Sequence, residues 1–190
     1  RELCVFAKPP TTDASVSNLE ELKAAINEGE KAIAVTKTIK LPQGTELDLS
    51  GITVYRDKAN KNAVFEVSEP NVAIKGSGGE IDGQYAKAEK PLISVNKGGA
   101  LTLTGITLQK SYNTKLKGGA IAVNEDGTLS CDGVKFDSNT VKGAKKDNPQ
   151  TGGAAIYAYK SVVNVANSEF LNNEALYCNG GAVYFDIGSS

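Results

Sequence analysis

The sequence predicts an all-β fold: a right-handed parallel β-helix of three-strand coils, about 28 residues each, with a short N-terminal capping α-helix. Three observations predict it. Apolar residues alternate with other residues over short stretches, these stretches recur at a regular interval, and a single helical pattern comes before them. Alternation with a period of two places one set of side chains inside and the next outside, as β-strands require.

The repeated unit is a pair of apolar-x-apolar stretches separated by two residues. Leu101-x-Leu103 is followed by Ile106-x-Leu108, for example, and the pattern begins again at Leu129. The first members of these pairs are Leu47, Val72, Leu101, Leu129 and Val163. A further stretch precedes each pair, as in Ile33/Val35, Phe65/Val67, Ile93/Val95 and Ile121/Val123. Each strand is therefore expected to pair in parallel with its equivalent in the next coil, about 4.8 Å away.

The alignment also predicts a row of inward-pointing side chains on the second strand of each coil. This row is Leu49, Ile74, Leu103, Cys131 and Val165. A leucine-rich repeat is the competing fold, because the stretch from Leu103 to Ser111 also fits that template. The β-helix is favoured, since the Gly-Gly-Ala at 118–120 and the alternating β-formers after it stand where a leucine-rich repeat needs a helical segment.

The chain divides into a lead-in with a capping helix, residues 1–30, and the β-helix, residues 31–190. The helix is predicted over 17–28, where Ser17 or Asn18 can act as N-cap with an acidic residue three positions later. Its apolar face is expected to cover the open end of the first coil, as terminal caps do in solenoids. The last strand starts a new coil, so we expect the β-helix to be truncated at its C-terminal end.

The composition narrows the possible chemistry. The chain has 21 Lys and Arg residues, 22 Asp and Glu residues, and no His, Trp or Met. A net charge of −1 gives no broad field toward nucleic acid or membranes. The absence of His removes imidazole bases and His-based zinc sites, so neither a metal nor a cofactor is predicted. Cys131 is expected in the core, and Cys4 and Cys178 lie too far apart along the stack to form a disulfide, so Cys178 is free or pairs with another molecule.

Two short motifs recur in the second half of the chain. They are Gly118-Gly119-Ala120-Ile121 and Gly180-Gly181-Ala182-Val183, with the variant Gly152-Gly153-Ala154-Ala155, and Phe136-x-x-Asn139 and Phe170-x-x-Asn173. This alternation of GGA[ILV] and FxxN resembles that of chlamydial polymorphic outer membrane proteins and other bacterial surface β-helix proteins. The resemblance covers residues 98–186. It implies an exported passenger region at the bacterial outer surface or outside the cell, a role in virulence, and adhesion to host cells.

The residues of these motifs have structural interpretations of their own. The Gly-Gly pair allows a positive φ at the corner before a strand. Phe136 and Phe170 are expected to fill the core, and Asn139 and Asn173 to bond to backbone groups or to each other at the following turn. These positions are therefore predicted to determine the fold rather than to bind a ligand.

A carbohydrate-active enzyme, either a polysaccharide lyase or a glycoside hydrolase, is the first alternative function. Such an enzyme needs paired carboxylates, and no two carboxylates align on adjacent coils of the second or third strands in our alignment. Asp82 and Asp132 lie beside glycines, which indicates turns. The sequence is therefore predicted not to encode an enzyme. The second alternative is a structural spacer within a larger surface protein.

One edge of the solenoid is predicted to be basic. Insertions fall at a single corner, which we call the loop-bearing edge: residues 57–61, 84–90, 110–117, 140–151 and 174–179. These segments hold ten lysines and four acidic residues, a net charge of +6. The candidate ligand-binding residues are Tyr85, Tyr112, Lys115, Lys117, Lys142, Lys145 and Lys146.

Two interpretations of this edge remain open. One is contact with an anionic glycan or a host-cell receptor by a monomer that neither binds nucleic acid nor inserts into a membrane. The other is that the lysines only keep the loops soluble. Tyr157 and Tyr184 are expected to stack on the outer face as a small ladder.

Overall fold

The computed structural model describes residues 13–115, 117–144 and 151–190. Within these ranges the chain forms one α-helix, and its β-strands make four sheets in which every pairing is parallel. Strands from successive repeats of the sequence are neighbours in each sheet. The structure thus confirms an all-β fold of parallel sheets.

The two largest sheets hold thirteen strands, numbered here along the chain. The seven-stranded sheet is β1 (Ala14–Val16), β2 (Ala32–Val35), β5 (Thr53–Arg56), β8 (Glu80–Asp82), β12 (Thr107–Gln109), β16 (Lys135–Asp137) and β20 (Glu169–Leu171), in that order. The six-stranded sheet is β3 (Ile39–Leu41), β6 (Phe65–Val67), β10 (Ile93–Val95), β14 (Ile121–Val123), β18 (Ile156–Ala158) and β22 (Val183–Phe185).

The other two sheets complete each turn of the chain. The five-stranded sheet is β4 (Glu46–Asp48), β7 (Val72–Lys75), β11 (Ala100–Thr104), β15 (Thr128–Asp132) and β19 (Val162–Ala166). The four-stranded sheet is β9 (Lys87–Ala88), β13 (Tyr112–Asn113), β17 (Thr140–Lys142) and β21 (Glu174–Leu176). From β6 onward, each turn of the chain therefore contributes one strand to the six-, five-, seven- and four-stranded sheets, in that order.

The strand register confirms most of the predicted interior row. Leu103 pairs with Ile74 on one side and with Cys131 on the other, and Cys131 pairs with Val165. Leu103 and Cys131 are buried, and Val165 is 42% exposed because β19 is the outermost strand of its sheet. The sequence wrongly places Leu49 in this row, since Leu47 is the residue paired with Ile74.

The first repeat also differs from the prediction. The sequence aligns Ile33 with Phe65, but β2 pairs with β1 and β5, so that Ile33 lies beside Val54. Ile39 takes the position beside Phe65. The predicted lead-in contains β1, a strand of the seven-stranded sheet. A three-residue strand gains its stability from its paired neighbour rather than from its own sequence, so its periodicity is too short to reveal it.

The prediction of three strands per coil is wrong from the second turn onward. Segments assigned to loops contain the short strands of the four-stranded sheet, in which Tyr112 pairs with Lys87 and with Thr140. Val141 and Ala88 belong to strands of this sheet, and both are buried. Strands of two or three residues are too short to show a clear alternation of apolar and polar residues, and the neighbouring lysines make these segments resemble loops.

Helix α1 (Leu19–Asn27) begins as predicted. The Asn18 Oδ1 atom accepts a hydrogen bond from the Glu21 amide at 2.9 Å, and the Glu21 carboxylate accepts from the Ser17 amide at 2.6 Å. The Ser17 amide and the Ser17 hydroxyl both donate to the Glu21 carboxylate and lower its pKa. Leu22 is fully buried within the same apolar core as the strands, and Leu19 packs against that core. The helix covers one end of the stack, as the sequence predicts.

The Phe-x-x-Asn motif forms two ladders inside the stack. The Phe136 and Phe170 rings stack with centroids 4.9 Å apart. Asn139 is fully buried and donates through Nδ2 to the Leu108 carbonyl and to Asn173 Oδ1, both at 3.0 Å. Its Oδ1 accepts from the Ser111 amide at 3.2 Å. In this structure the side chains of the motif therefore fill the core and pair buried backbone groups at the following turn.

The Gly-Gly-Ala motifs mark the corner before the six-stranded sheet. Gly118, Gly153 and Gly180 each lie three residues before a strand of that sheet and have φ values of 85°, 74° and 74°. Gly153, and not Gly152, is thus the counterpart of Gly118, because the variant carries one extra alanine before its strand. A Cβ atom on Gly118 would lie 2.3 Å from the Ile121 carbonyl oxygen, so glycine is needed there.

One buried charge was not expected from the sequence. Arg56 is the last residue of β5, its side chain is fully buried, and its Nη1 donates to the carbonyls of Asn62 and Lys90 at 3.2 and 2.8 Å. Burial lowers the pKa of Arg56 to about 10, so the guanidinium stays charged at neutral pH. Among the described residues, nothing accepts a hydrogen bond from its Nε or Nη2. Arg56 thereby ties the backbone at Asn62 and at Lys90 to the core.

Candidate functional site

The four-stranded sheet brings the predicted edge segments together. Because β9, β13, β17 and β21 pair in parallel, the segments 84–90, 110–115, 140–144 and 174–179 lie side by side along the stack. Lys145 and Lys146, two of the predicted ligand-binding residues, lie outside the described residues. The remaining candidates separate into a lysine group and a tyrosine group.

Lys115 and Lys117 line a concave site at the border of this edge. Together with Lys90 they surround a cavity of about 130 Å³, which also has Glu89, Ser94 and Asn124 in its wall. All three lysines are exposed to solvent. A second cavity of about 290 Å³ shares Lys90, Ser94 and Asn124 with the first. We call these two adjoining cavities the groove.

The groove exists because of the side chains on the outer face of the six-stranded sheet. The strand register places Lys40, Glu66, Ser94, Ala122, Tyr157 and Tyr184 in one outward row. Small side chains occur only at Ser94 and Ala122, so a depression forms over these two strands. On the next strand this position is occupied by Tyr157, whose side chain is only 2% exposed. The tyrosine therefore closes that end of the groove.

An amide ladder contributes to the wall of the groove. Asn124 Nδ2 donates to Asn96 Oδ1 at 2.9 Å, and Asn96 Nδ2 donates to Ser68 Oγ at 3.4 Å. Our sequence interpretation missed Ser94, Asn96 and Asn124. The available signal was the Val-Asn pair at 95–96, which recurs 28 residues later at 123–124. Without the neighbouring loops in place, this repeat indicates only a turn.

The lysine-bearing loop is anchored from below. Asn113 is fully buried, and its Nδ2 donates to the Gly118 carbonyl at 2.6 Å. The Asn113 Oδ1 atom accepts from the Lys115 amide at 2.9 Å. The Lys117 Nζ atom lies 5.9 Å from the centroid of the Tyr157 ring, within cation–π range. The fold thus fixes the backbone at Lys115 and gives the Lys117 ammonium a preferred position.

The tyrosine group is spread along the edge and does not form one site. Tyr85 is 54% exposed, whereas Tyr112 is half-buried within β13. Lys142 lies on β17, with its Nζ 6.0 Å from the ring centroid of Tyr177. Tyr85, Tyr112 and Lys142 line neither cavity of the groove, so the structure separates them from Lys115 and Lys117.

The predicted tyrosine ladder is confirmed. The Tyr157 and Tyr184 rings stack with centroids 6.2 Å apart. Tyr157 Oη donates to Asp186 Oδ2 at 2.9 Å, and burial together with this hydrogen bond raises the pKa of Tyr157. The Tyr157 ring is buried and offers no free face to a glycan, so the ladder has a stabilising role.

A larger cavity than either part of the groove lies elsewhere. It has a volume of about 650 Å³ between the start of α1 and β3, and its walls include Glu20, Glu66, Glu69 and Lys40. Three carboxylates and one ammonium group suit an anionic ligand poorly. None of the residues predicted to bind a ligand lies in this cavity, and its size alone does not make it the functional site.

Two carboxylates meet on the outer face of the seven-stranded sheet. Glu80 Oε2 and Asp82 Oδ2 both accept from Gln109 Nε2, at 3.1 and 2.9 Å. Asp82 also accepts from the Gln84 amide at 2.6 Å and lies 3.7 Å from Lys110 Nζ. Our sequence alignment had not brought these two groups together. Their hydrogen bonds are directed to protein donors, so the pair has a structural interpretation.

Two of the three cysteines lie in the described part of the chain, and neither is fully exposed. Cys131 is buried in the core, and burial raises the pKa of its thiol to about 12. Cys178 is half-buried, and its pKa is also raised by burial; Cys4 lies outside the described residues. Among the residues that the structure describes, no three His, Cys, Asp or Glu side chains are grouped as metal ligands. Within the same ranges we find no helix with the length and hydropathy that a bilayer crossing needs.

The groove is thus the concave part of the loop-bearing edge in which predicted residues meet. Its lysines supply positive charge, the amide ladder supplies hydrogen-bonding groups, and the small floor residues leave space for a ligand. Comparison of the chain with protein-family models, curated proteins and solved structures found no match.

Proposed function

We propose that this chain is an adhesin-like binding module of a cell-surface or secreted protein, which contacts an anionic glycan or host receptor through its loop-bearing edge. A location at the bacterial outer surface is part of this proposal. It rests on the resemblance of the GGA[ILV] and FxxN repeats to chlamydial polymorphic outer membrane proteins. The fold places these repeats at the corners and in the core, where they support a scaffold for binding loops.

The scaffold in this proposal is a right-handed parallel β-helix with coils of about 28 residues. Paired residues such as Leu101 and Leu129, or Ile93 and Ile121, lie 28 positions apart. The insertion near residues 140–151 widens this spacing to 35 between Ile121 and Ile156. Parallel strands joined through other strands or helices almost always take the right-handed connection, which favours that hand.

The observation that carries the proposal is the unpaired positive charge of the edge. Of its lysines in the described part of the chain, only Lys110 forms an ion pair, with Asp82 at 3.7 Å. Among the other described lysines, Lys75, Lys97, Lys135 and Lys160 pair with carboxylates, whereas Lys23, Lys31, Lys37 and Lys40 form no ion pair. Ammonium groups left without a carboxylate remain available to an anionic partner, and loops stacked along one edge of a solenoid commonly form its binding surface.

An array of neutral and acidic glycans tests the proposal directly. The wild-type chain is expected to bind acidic glycans and to lose that binding as salt screens the edge. A variant with Lys115, Lys117 and Lys142 changed to Gln is expected to bind more weakly while keeping its circular dichroism spectrum.

The alternative functions give different results in the same set of assays. A structural spacer binds none of the glycans. A polysaccharide lyase or hydrolase releases unsaturated or reducing ends when it is incubated with acidic polysaccharides. Either result would contradict the proposal of a non-enzymatic binding module.

A further inference from the structure

We infer that the groove binds an acidic sugar unit next to a neutral one, with the acidic group at the end where Lys90, Lys115 and Lys117 converge. This inference rests on the proposed function and locates its ligand. The acidic group is a carboxylate or a sulfate, and the neighbouring unit contributes hydroxyl groups.

The charge distribution within the groove sets the position of the acid. The smaller cavity has three lysines and one acidic residue, Glu89, in its wall. The larger cavity is lined by Glu66 as well as Lys90, and otherwise by uncharged residues. In the described part of the chain, Lys90, Lys115 and Lys117 form no ion pair. A negative group is therefore favoured beside the lysines and disfavoured beside Glu66.

The amide ladder adds a group that recognises hydroxyls. Because Asn124 Nδ2 is occupied by Asn96 Oδ1 at 2.9 Å, the orientation of the Asn124 amide is fixed. In the described ranges no donor reaches Asn124 Oδ1, which leaves it as an acceptor in the wall shared by the two cavities. An acceptor there suits a sugar hydroxyl and repels a bare oxyanion, so the site favours a sugar over free sulfate or phosphate.

The length of the groove suits more than one sugar ring. Glu66, Ser94 and Ala122 occupy the same position on three neighbouring strands, which span about 10 Å along the stack. Tyr157 closes one end. The ligand is therefore expected to lie along the solenoid axis, with its acidic unit over Ala122 and its neutral unit over Ser94 and Glu66.

Oligosaccharides of known charge pattern test this inference. The probes are a hyaluronan tetrasaccharide, in which acidic and neutral units alternate, a polygalacturonate tetrasaccharide, in which every unit is acidic, and inorganic sulfate. Titration calorimetry is expected to give tighter binding for the hyaluronan fragment than for either other probe. If attraction were only a matter of total charge, the polygalacturonate fragment would bind more tightly instead, and the inference would be wrong.

Matched variants locate the site. Changing Lys115 and Lys117 to Gln is expected to weaken hyaluronan binding by about tenfold or more. The control, Lys58→Gln with Lys61→Gln, removes the same charge from the same edge outside the groove and is expected to change affinity less than about twofold. Equal losses in both variants would overturn the inference in favour of general electrostatic attraction.

A third variant changes the shape without changing the charge. Ala122→Tyr places in the groove the side chain that Tyr157 already has on the next strand, and it is expected to abolish binding with all lysines intact. Asn124→Leu serves the same purpose if Ala122→Tyr does not fold, with an expected loss of about tenfold. A wild-type chain that binds no acidic glycan refutes the proposed function. One that binds them equally well with the groove filled, or with Asn124 replaced, refutes only the assignment to the groove.

Discussion

The buried Asn139 amide offers the sharpest test of how this fold is held together. Asn139→Ala removes the acceptor of the Ser111 amide and the donor to the Leu108 carbonyl. Both partners belong to fully buried residues, and each buried polar group left without a partner costs about 1–3 kcal/mol. We therefore expect the free energy of unfolding to fall by about 2–4 kcal/mol.

The control for this experiment is one strand further along the same ladder. Asn173 is half-buried and donates through Nδ2 to the Phe136 carbonyl at 3.0 Å. Asn173 Oδ1 also accepts from the amide of the buried Asn139 at 3.1 Å, so Asn173→Ala leaves two groups without a partner as well. Because Asn173 is half-buried and water can take its place, the expected cost is smaller than for Asn139→Ala, about 1–2 kcal/mol. Comparing the two variants separates the cost of leaving fully buried groups unpaired from the cost of losing one amide side chain.

Urea unfolding followed by circular dichroism measures both changes. For a chain of this size, each kcal/mol corresponds to about 2–4 °C in Tm, so a thermal scan gives a second reading. The reasoning fails if Asn139→Ala unfolds within about 0.5 kcal/mol of wild type, or if Asn173→Ala proves the more costly of the two.

Three further predictions concern the core and the corners. Phe136→Ala removes a fully buried ring stacked 4.9 Å from Phe170 and is expected to lower the unfolding free energy by about 3–5 kcal/mol; a loss below about 1 kcal/mol would be inconsistent with a packed ring. Gly118→Ala brings a Cβ within 2.3 Å of a carbonyl oxygen at a φ of 85°, and its melting temperature should fall further than that of Gly105→Ala, which has open space around it. Since the folded pKa of Cys131 is about 12, above an unfolded value of about 8.5, the unfolded chain ionises first. The stability that Cys131 contributes is therefore present below about pH 8.5 and is lost as the pH rises toward 12. Cys131→Val should reduce this loss in pH-dependent urea titrations, and identical pH slopes for the two proteins would contradict it.

The sequence was most informative where one signal repeats. Leu103 and Cys131 were predicted to be neighbours in an interior row and are paired. The prediction succeeded because two independent signals, the alternation within each strand and the recurrence of the strand along the chain, indicate the same pairing. The Phe136 and Asn139 positions followed for the same reason. The capping helix was predicted from its N-cap and from the acidic residue three positions later. Both features depend on only a few neighbouring residues, so they can be read from the sequence.

The predictions failed where a position depends on a distant segment. Ile33 and Leu47 were placed in the wrong rows. The apolar pattern alone is compatible with several strand registers, and the lengths of the intervening segments decide between them. Arg56 was not expected inside the molecule, because its burial depends on carbonyl groups of Asn62 and Lys90 that the corner brings to it.

The candidate site shows the same division. The basic character of the loop-bearing edge could be obtained by counting residues, and Lys115 and Lys117 were named from the sequence. Asn124 and Ser94 gained a role only when the six-stranded sheet placed them in the same cavity as those lysines.

The sequence by itself determined the parallel stacking of strands, the composition of the core and the charge of one edge, because these follow from periodicity and residue type within short segments. The tertiary structure alone decided the fourth sheet, the register of the first turns and the groove. A concave site depends on which side chains from different turns become neighbours, and here two small residues between larger ones on adjacent strands leave the space that three lysines surround.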